Sequence, residues 1–251
     1  MENAERNKIY FASDSHLGVP DYESSLEREK IFVKWLDSIK DDAAELYLLG
    51  DIFDFWFEYR HAVPKGFARL LGKLAELSDA GIKISFFTGN HDMWMFGYLT
   101  KEMNVQIYRA PVERTMNGKK FFIGHGDGIG PDDHGYKFIK KVFSNKVCQW
   151  LFACLHPNFG LGLARYLSRK SRVANGKTDE IFLGEEKERL IQFIKENEKT
   201  KHFDYYIFGH RHLPLDLEIG NTRYLNLGDW VVHFSYAVWD GEKVELKKVQ
   251  K

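Results

Sequence analysis

Five short apolar runs in this chain each stop at a cluster of Asp, Asn or His. "KIYFAS" leads into Asp14 and His16, and "LYLLG" into Asp51 and Asp54. "IKISFFTG" leads into Asn90, His91 and Asp92, "KKFFIG" into His125 and Asp127, and "DYYIFG" into His210 and His212. Runs of this kind, without polar alternation, read as strands buried on both faces. In α/β sheets, ligands bind beyond the carboxyl ends of such strands. A carboxylate among Ile52, Phe53, Phe55, Trp56 and Phe57 is costly to bury unless a positive charge meets it. The five strand ends are therefore expected to converge on one crevice.

Between the first three strands the periodicity changes. From Leu26 to Lys40 the apolar residues Phe32, Trp35, Leu36 and Ile39 recur at helical spacing, and Leu70, Leu71, Leu74 and Leu77 do so from Phe67 to Ser78. Strand, helix, strand, helix, strand is the alternation of an α/β domain with a partly parallel sheet. Further on, Asn117-Gly118 reads as a hairpin turn. Residues 135–170 read as two or three basic, aromatic helices interrupted by Pro157, Gly160 and Gly162. Glu180 to Glu198 reads as one charged amphipathic helix, and the C-terminal part as hairpins turning at Gly220-Asn221 and Asp240-Gly241. At 251 residues the chain suits a single core, 1–129 and 179–251, interrupted by a helical insertion over 130–178.

The chemistry lies in the donor set. A mixture of carboxylate, amide and imidazole suits Mn²⁺, Fe²⁺ or Zn²⁺ better than Ca²⁺, which prefers all-oxygen cages. Asp14, His16, Asp51, Asn90, His125, His210 and His212 are too many donors for one ion. Two divalent cations sharing Asp51 would use all of them, and such pairs sit roughly 3.5–4 Å apart and clamp both oxygens of a phosphoryl transfer. Taken singly, any one of these histidines reads equally well as a satisfied core residue. Asp92 and Asp127 read as hydrogen-bond holders rather than ligands. His61, His156, His202 and His233 read as structural or surface residues, and His134 as a candidate substrate contact.

Net charge is zero, which gives no global steering toward nucleic acid. Locally the balance differs. From His134 to Thr178 there is no Asp or Glu, but Lys137, Lys140, Lys141, Lys146, Arg165, Arg169, Lys170, Arg172 and Lys177. Such a block suits a surface that meets anions, the plainer reading being a solvated helix face. The two cysteines, Cys148 and Cys154, are expected to be buried, reduced thiols. The N-terminus lacks an apolar signal core, and "WLFACL" is far shorter than the ~20 residues that span a bilayer, so a cytoplasmic location is expected.

"DSH", "GDIFD", "GNHD", "GHGD" and "GHRH", in this order, resemble the five blocks of the calcineurin-like metallophosphoesterases. The resemblance implies a four-layer αββα sandwich of two sheets flanked by helices. It implies that Asp14, His16, Asp51 and His212 hold one metal and Asp51, Asn90, His125 and His210 the other. His91 would face the phosphate, with Asp54 orienting it. The insertion, with "LGDIFDFW" and "LNLGDW", is similar to the UDP-2,3-diacylglucosamine pyrophosphohydrolases of lipid A synthesis. That likeness implies a lipid-linked sugar nucleotide as substrate, cleaved to UMP and 2,3-diacylglucosamine 1-phosphate. It also implies Mn²⁺ as cofactor, a lid over 130–178, peripheral contact with the anionic inner-membrane surface, and no obligate protein partner. Asp133, Tyr136, Lys137, Lys141, Arg165, Arg169 and Arg172 are the substrate contacts it suggests. The chain departs from that group at His91, where its well-known members carry arginine. A phosphatase or phosphodiesterase with another substrate, and a non-catalytic scaffold on the same fold, are the rival readings.

Overall fold

The computed structural model describes residues 6–130, 134–164, 166–168 and 181–249. The expected alternation opens the chain: β1 (Lys8–Ala12), α1 (Tyr22–Ile39), β2 (Ala43–Leu48), α2 (Ala68–Asp79) and β3 (Lys83–Phe87). A short helix α3 (Tyr98–Met103), the three-residue strand β4 (Gln106–Tyr108) and the hairpin β5 (Val112–Met116) and β6 (Lys119–Ile123) follow. Three helices follow, α4 (His134–Phe143), α5 (Lys146–Ala153) and α6 (157–164). The chain then returns through α7 (Arg189–Asn197), β7 (Tyr205–Phe208), β8 (Pro214–Ile219), β9 (Thr222–Leu227), β10 (Ser235–Trp239) and β11 (Val244–Lys248).

Two mixed sheets result. The first is ordered β11-β10-β1-β2-β3-β4 and the second β5-β6-β7-β9-β8. In the first, β1 to β4 run parallel, and in the second β6, β7 and β9 do. The sheets face each other across Phe11, Tyr47, Leu49, Phe87, Ile123, Ile207 and Leu225. The other face of the first sheet is covered by α1 and α2 through Phe32, Trp35, Leu36, Leu70, Leu74 and Leu77. On the second sheet α7 packs Leu190, Ile191 and Ile194 against Tyr206 and Phe208. Strands covered on both faces need no polar alternation, which is why β1 and β3 read as continuous apolar runs.

Two expectations need correction. The helix expected from Glu180 begins only at Arg189 among the described residues. Gly184 takes a left-handed φ of 87°, and Glu188, whose carboxylate meets Arg211 at 2.8 Å, has an extended backbone at φ −79° and ψ 109°, so neither residue has helical geometry. The cysteines are not buried: Cys148 is half-buried and Cys154 exposed. Several apolar side chains of α4 and α5 face solvent, with Phe138 67% and Trp150 64% exposed, while Phe152 packs on Phe57 and Trp94.

Candidate metal centre

The carboxyl ends of β1, β2, β3, β6 and β7 open at one edge of the sandwich. Asp14 and His16 follow β1, Asp51 follows β2, Asn90 and His91 follow β3, His125 follows β6, and His210 and His212 follow β7. Five of the seven proposed donors have left-handed backbones: Asp14 at φ 54°, His16 at 41°, Asp51 at 52°, His210 at 70° and His212 at 52°. Non-glycine residues rarely adopt such angles, and they persist only where surrounding bonds over-determine them. Here the strand-end loops brace one another. Asp14 N–H donates to Gly50 O at 3.0 Å, His16 N–H to Asp51 O at 2.9 Å, and Trp230 N–H to Asp14 O at 3.1 Å. The buried Arg28 of α1 donates to His16 O at 3.0 Å.

Asp51, His125 and Asp14 are aimed by their remaining atoms. Asp51 Oδ1 accepts His91 N–H at 2.8 Å, leaving Oδ2 at 3.5 Å from His125 Nε2 and 3.9 Å from His16 Nε2. His125 donates Nδ1–H to Leu49 O at 2.6 Å, so Nε2 faces the crevice, 3.3 Å from Asn90 Oδ1. Asp14 Oδ2 accepts His210 N–H at 2.9 Å. Its Oδ1 is fully buried without a hydrogen-bond partner, 3.3 Å from His212 Nε2. His16 and His212 point their Nε2 atoms at each other across 3.0 Å. Two imidazole nitrogens and an orphaned carboxylate oxygen at such distances are what a shared cation would resolve.

Three sets of donors lie within 4.8 Å of one another: Asp14, His16 and His212; His16, Asp51 and His91; and Asp51, His125 and His210. Asp51 belongs to two of them, one of which takes in His91. The electrostatics agree with a cation cradle. Burial alone would raise the Asp51 carboxyl, but His125 and His91 beside it hold it well below the usual range. Burial would lower His125, yet the Asp51 charge and hydrogen bond push it up to about 10. His212, likewise opposed by burial, is pushed up to about 9 by its contact with Asp14. Protons thus stand where cations would. His16 and His210 are lowered, chiefly by burial.

Asp92 is not a ligand here. Its carboxylate accepts N–H groups from Gly89 at 2.8 Å, Asp51 at 3.2 Å, Ile52 at 2.9 Å and Phe53 at 3.3 Å. That cradle ties the ends of β2 and β3 together. Asp127, buried beside His125, holds Lys140 of α4 at 2.6 Å. Asp54 meets His91 mainly through its backbone: His91 Nδ1 is 3.0 Å from Asp54 O and 3.6 Å from its Oδ1. Sequence reasoning gave no place to Ser168, whose hydroxyl donates to Asp54 Oδ2 at 2.9 Å, nor to Lys140 as a tether. It also passed over Asp229, buried after β9, which binds Val232 and His233 N–H at 2.8 Å each. Asp229 repeats the strand-glycine-aspartate pattern in "LNLGDW", a signal that was legible.

Of the expected substrate contacts, Lys137 and Lys141 are exposed on α4, and Lys137 donates to Gly130 O at 2.6 Å. Asp133, Arg165, Arg169 and Arg172 lie outside the described residues, as do the side chains of His134 and Tyr136.

Comparison with known proteins places this geometry. A family model described as calcineurin-like phosphoesterase matches residues 7–214. A Porphyromonas gingivalis protein named UDP-2,3-diacylglucosamine hydrolase is 40% identical over 258 residues, covering 98% of either chain. A Shewanella protein of the same name is 28% identical over 243 residues, covering 96% of this chain and 97% of its own. Donor set, strand-end placement and near full-length similarity agree, and the chain belongs to the calcineurin-like phosphoesterase family, as a metal-dependent phosphoester hydrolase.

Proposed function

We propose that this chain hydrolyses the pyrophosphate of UDP-2,3-diacylglucosamine, releasing UMP and 2,3-diacylglucosamine 1-phosphate. The near full-length similarity to the Porphyromonas gingivalis hydrolase carries the substrate assignment. The doubly shared Asp51 supports the chemistry. Asp14, His16, Asp51 and His212 would hold one divalent cation, and Asp51, Asn90, His125 and His210 a second, Mn²⁺ being the expected metal. When bound, such a pair supplies an activated water and neutralises charge developing on the phosphoryl oxygens.

The chain's own residues do the rest. Asp51 and Asp14 bring negative charge into a buried crevice, and His91 and His210 N–H groups hold each carboxylate in one orientation. His91 keeps its Nδ1 on the Asp54 carbonyl and presents Nε2 to the phosphate, where it donates a hydrogen bond or a proton to the leaving oxygen. The departure from arginine at this position leaves a hydrogen-bond donor in place. Residues 130–178 would act as a lid, in which the exposed Phe138, Val147, Trp150, Leu151 and Phe159 would enclose acyl chains. Lys137 and Lys141, with Asp133, Tyr136, Arg165, Arg169 and Arg172, would hold the pyrophosphate and sugar. No described helix is long and apolar enough to cross a membrane, so access to a lipid substrate would be by peripheral contact of this basic, apolar face with anionic lipid. A cytoplasmic site of action fits that picture.

UMP release from UDP-2,3-diacylglucosamine tests the proposal, with Mn²⁺ and after chelation. Turnover should need the metal and fall at least about a hundredfold in Asp51→Ala. Metal-dependent cleavage of simple phosphodiesters with none of the diacylated nucleotide would remove the substrate assignment. Full turnover by Asp51→Ala would remove the mechanism.

A further inference from the structure

Two oxygens point at His91 Nδ1. The Asp54 backbone carbonyl lies 3.0 Å away, and Ser168 Oγ 3.2 Å away. The Ser168 hydroxyl also sits 2.9 Å from Asp54 Oδ2, to which it donates. These contacts fix the roles. A carbonyl only accepts, so the nitrogen facing it carries hydrogen. Ser168 gives its own hydrogen to the carboxylate and turns a lone pair toward Nδ1–H. The ring is thereby committed at Nδ1, and Nε2 is the nitrogen left for the crevice.

Ser168 belongs to the insertion, in the helical residues 166–168. It is 77 positions from His91 and 114 from Asp54. Other hydrogen bonds from this part of the chain to the core are made away from His91: Lys140 meets Asp127, and Trp94 Nε1–H ties the end of α4 at Phe143 O, 2.7 Å away. The insertion thus contributes a hydroxyl to the very imidazole that faces substrate.

We propose that Ser168 is a positioning residue for the reaction: seated on the Asp54 carboxylate, it braces His91 so that Nε2 is aimed at the phosphate. This rests on the hydrolytic reading above. A hydroxyl that merely packs would be replaceable by alanine at no catalytic cost. One that grips substrate would act on KM. A brace acts on kcat, and only while His91 is present.

The experiment is a cycle of Ser168→Ala, His91→Ala and the double variant, with Ser168→Thr as the conservative control. UMP release is measured alongside long-range ¹⁵N–¹H spectra of histidine-labelled, Zn²⁺-loaded protein. Ser168→Ala should lower kcat roughly tenfold, with KM within about twofold. Ser168→Thr should recover most of that loss. Added to His91→Ala, Ser168→Ala should cost nothing more. The His91 ring signals, assigned by their loss in His91→Ala, should report Nδ1–H in the wild type and shift in Ser168→Ala. An unchanged His91 spectrum, a KM-only effect, or full additivity with His91→Ala would each overturn the brace. If the wild type cleaves no UDP-2,3-diacylglucosamine while the His91 signals still respond to Ser168→Ala, the substrate reading fails and the brace on the ring stands.

Discussion

Asp51 is pressed from behind by a glycine. A Cβ on Gly89 would lie 2.2 Å from Asp51 Oδ1 and 2.7 Å from Asp51 N. Gly209 stands in the same relation to Asp14, where a Cβ would meet Oδ2 at 2.5 Å. Both carboxylates can approach their strand ends only because these positions lack a side chain. Gly89→Ala is therefore expected to rotate Asp51 off its bond to His91 N–H and to weaken metal binding by about ten- to a hundredfold, the usual cost of disturbing a ligand's support. Titration calorimetry with Mn²⁺ would read this, and an unchanged affinity would show that Asp51 is not held as described. The same residues explain what the sequence could reveal. Donors that follow their strand by two to four residues, such as Asp51 after β2, are legible because the apolar run marks the end. Ser168 is not, since it follows no strand and meets Asp54 only through the tertiary fold. Orientation is equally hidden: "GDIFD" gives Asp54, but not that its carbonyl rather than its carboxylate lies nearest His91.

At the scale of elements, α1 does more than cover the first sheet. Helix α2 is preceded by Phe67, a left-handed residue that offers no side-chain cap. Glu29 of α1, almost fully buried, accepts the Arg69 and Leu70 N–H groups at 3.0 and 3.1 Å and so caps the neighbouring helix. One residue earlier in the same helix, Arg28 holds His16 O, so α1 joins the start of α2 to the metal crevice. Glu29→Ala should destabilise the fold by about 1–3 kcal/mol, because two buried N–H groups lose their acceptor, with Glu29→Gln milder since it keeps one oxygen. Denaturant unfolding would measure this. A loss below about 0.5 kcal/mol would mean that water replaces the cap. Long periodic elements such as α1 were legible in the sequence, and so were the turns at Asn117-Gly118 and Asp240-Gly241. Strand β4, three residues long, offers too little chain for a period of two, and α3 too little for a period of 3.6. The late start of α7 lies in the left-handed Gly184 and the extended Glu188, backbone angles that the charged pattern of residues 180–198 does not display.

For the whole molecule, the crevice joins the two sheets, so what fills it changes the stability of the sandwich. The first sheet brings Asp14, His16 and Asp51, and the second brings His125, His210 and His212. Without metal, the folded pKa values of His125 and His212, about 10 and about 9, lie above the unfolded value near 6.5. Groups raised in this way contribute stability that is complete below about pH 6.5 and is lost as pH rises through 9 to 10. The lowered His16 and His210 act below pH 6.5, outside that window. Metal-free protein is thus expected to lose stability from pH 6.5 to 8.5, by up to about 1.4 kcal/mol per unit for each of the two imidazoliums. Cations need the same nitrogens bare, so proton and metal compete, and the stabilisation by metal should grow over the same range. At a free Mn²⁺ concentration a hundred times its Kd the gain is about 2.7 kcal/mol, or about 5–10 °C in Tm for a domain of this size. Thermal unfolding at pH 6.5 and 8.5, with chelator and with a fixed Mn²⁺ concentration, should show the two curves diverging as pH rises. A metal-induced gap that is absent, or equal at both pH values, would mean that His125 and His212 do not exchange protons for cations in joining the two sheets.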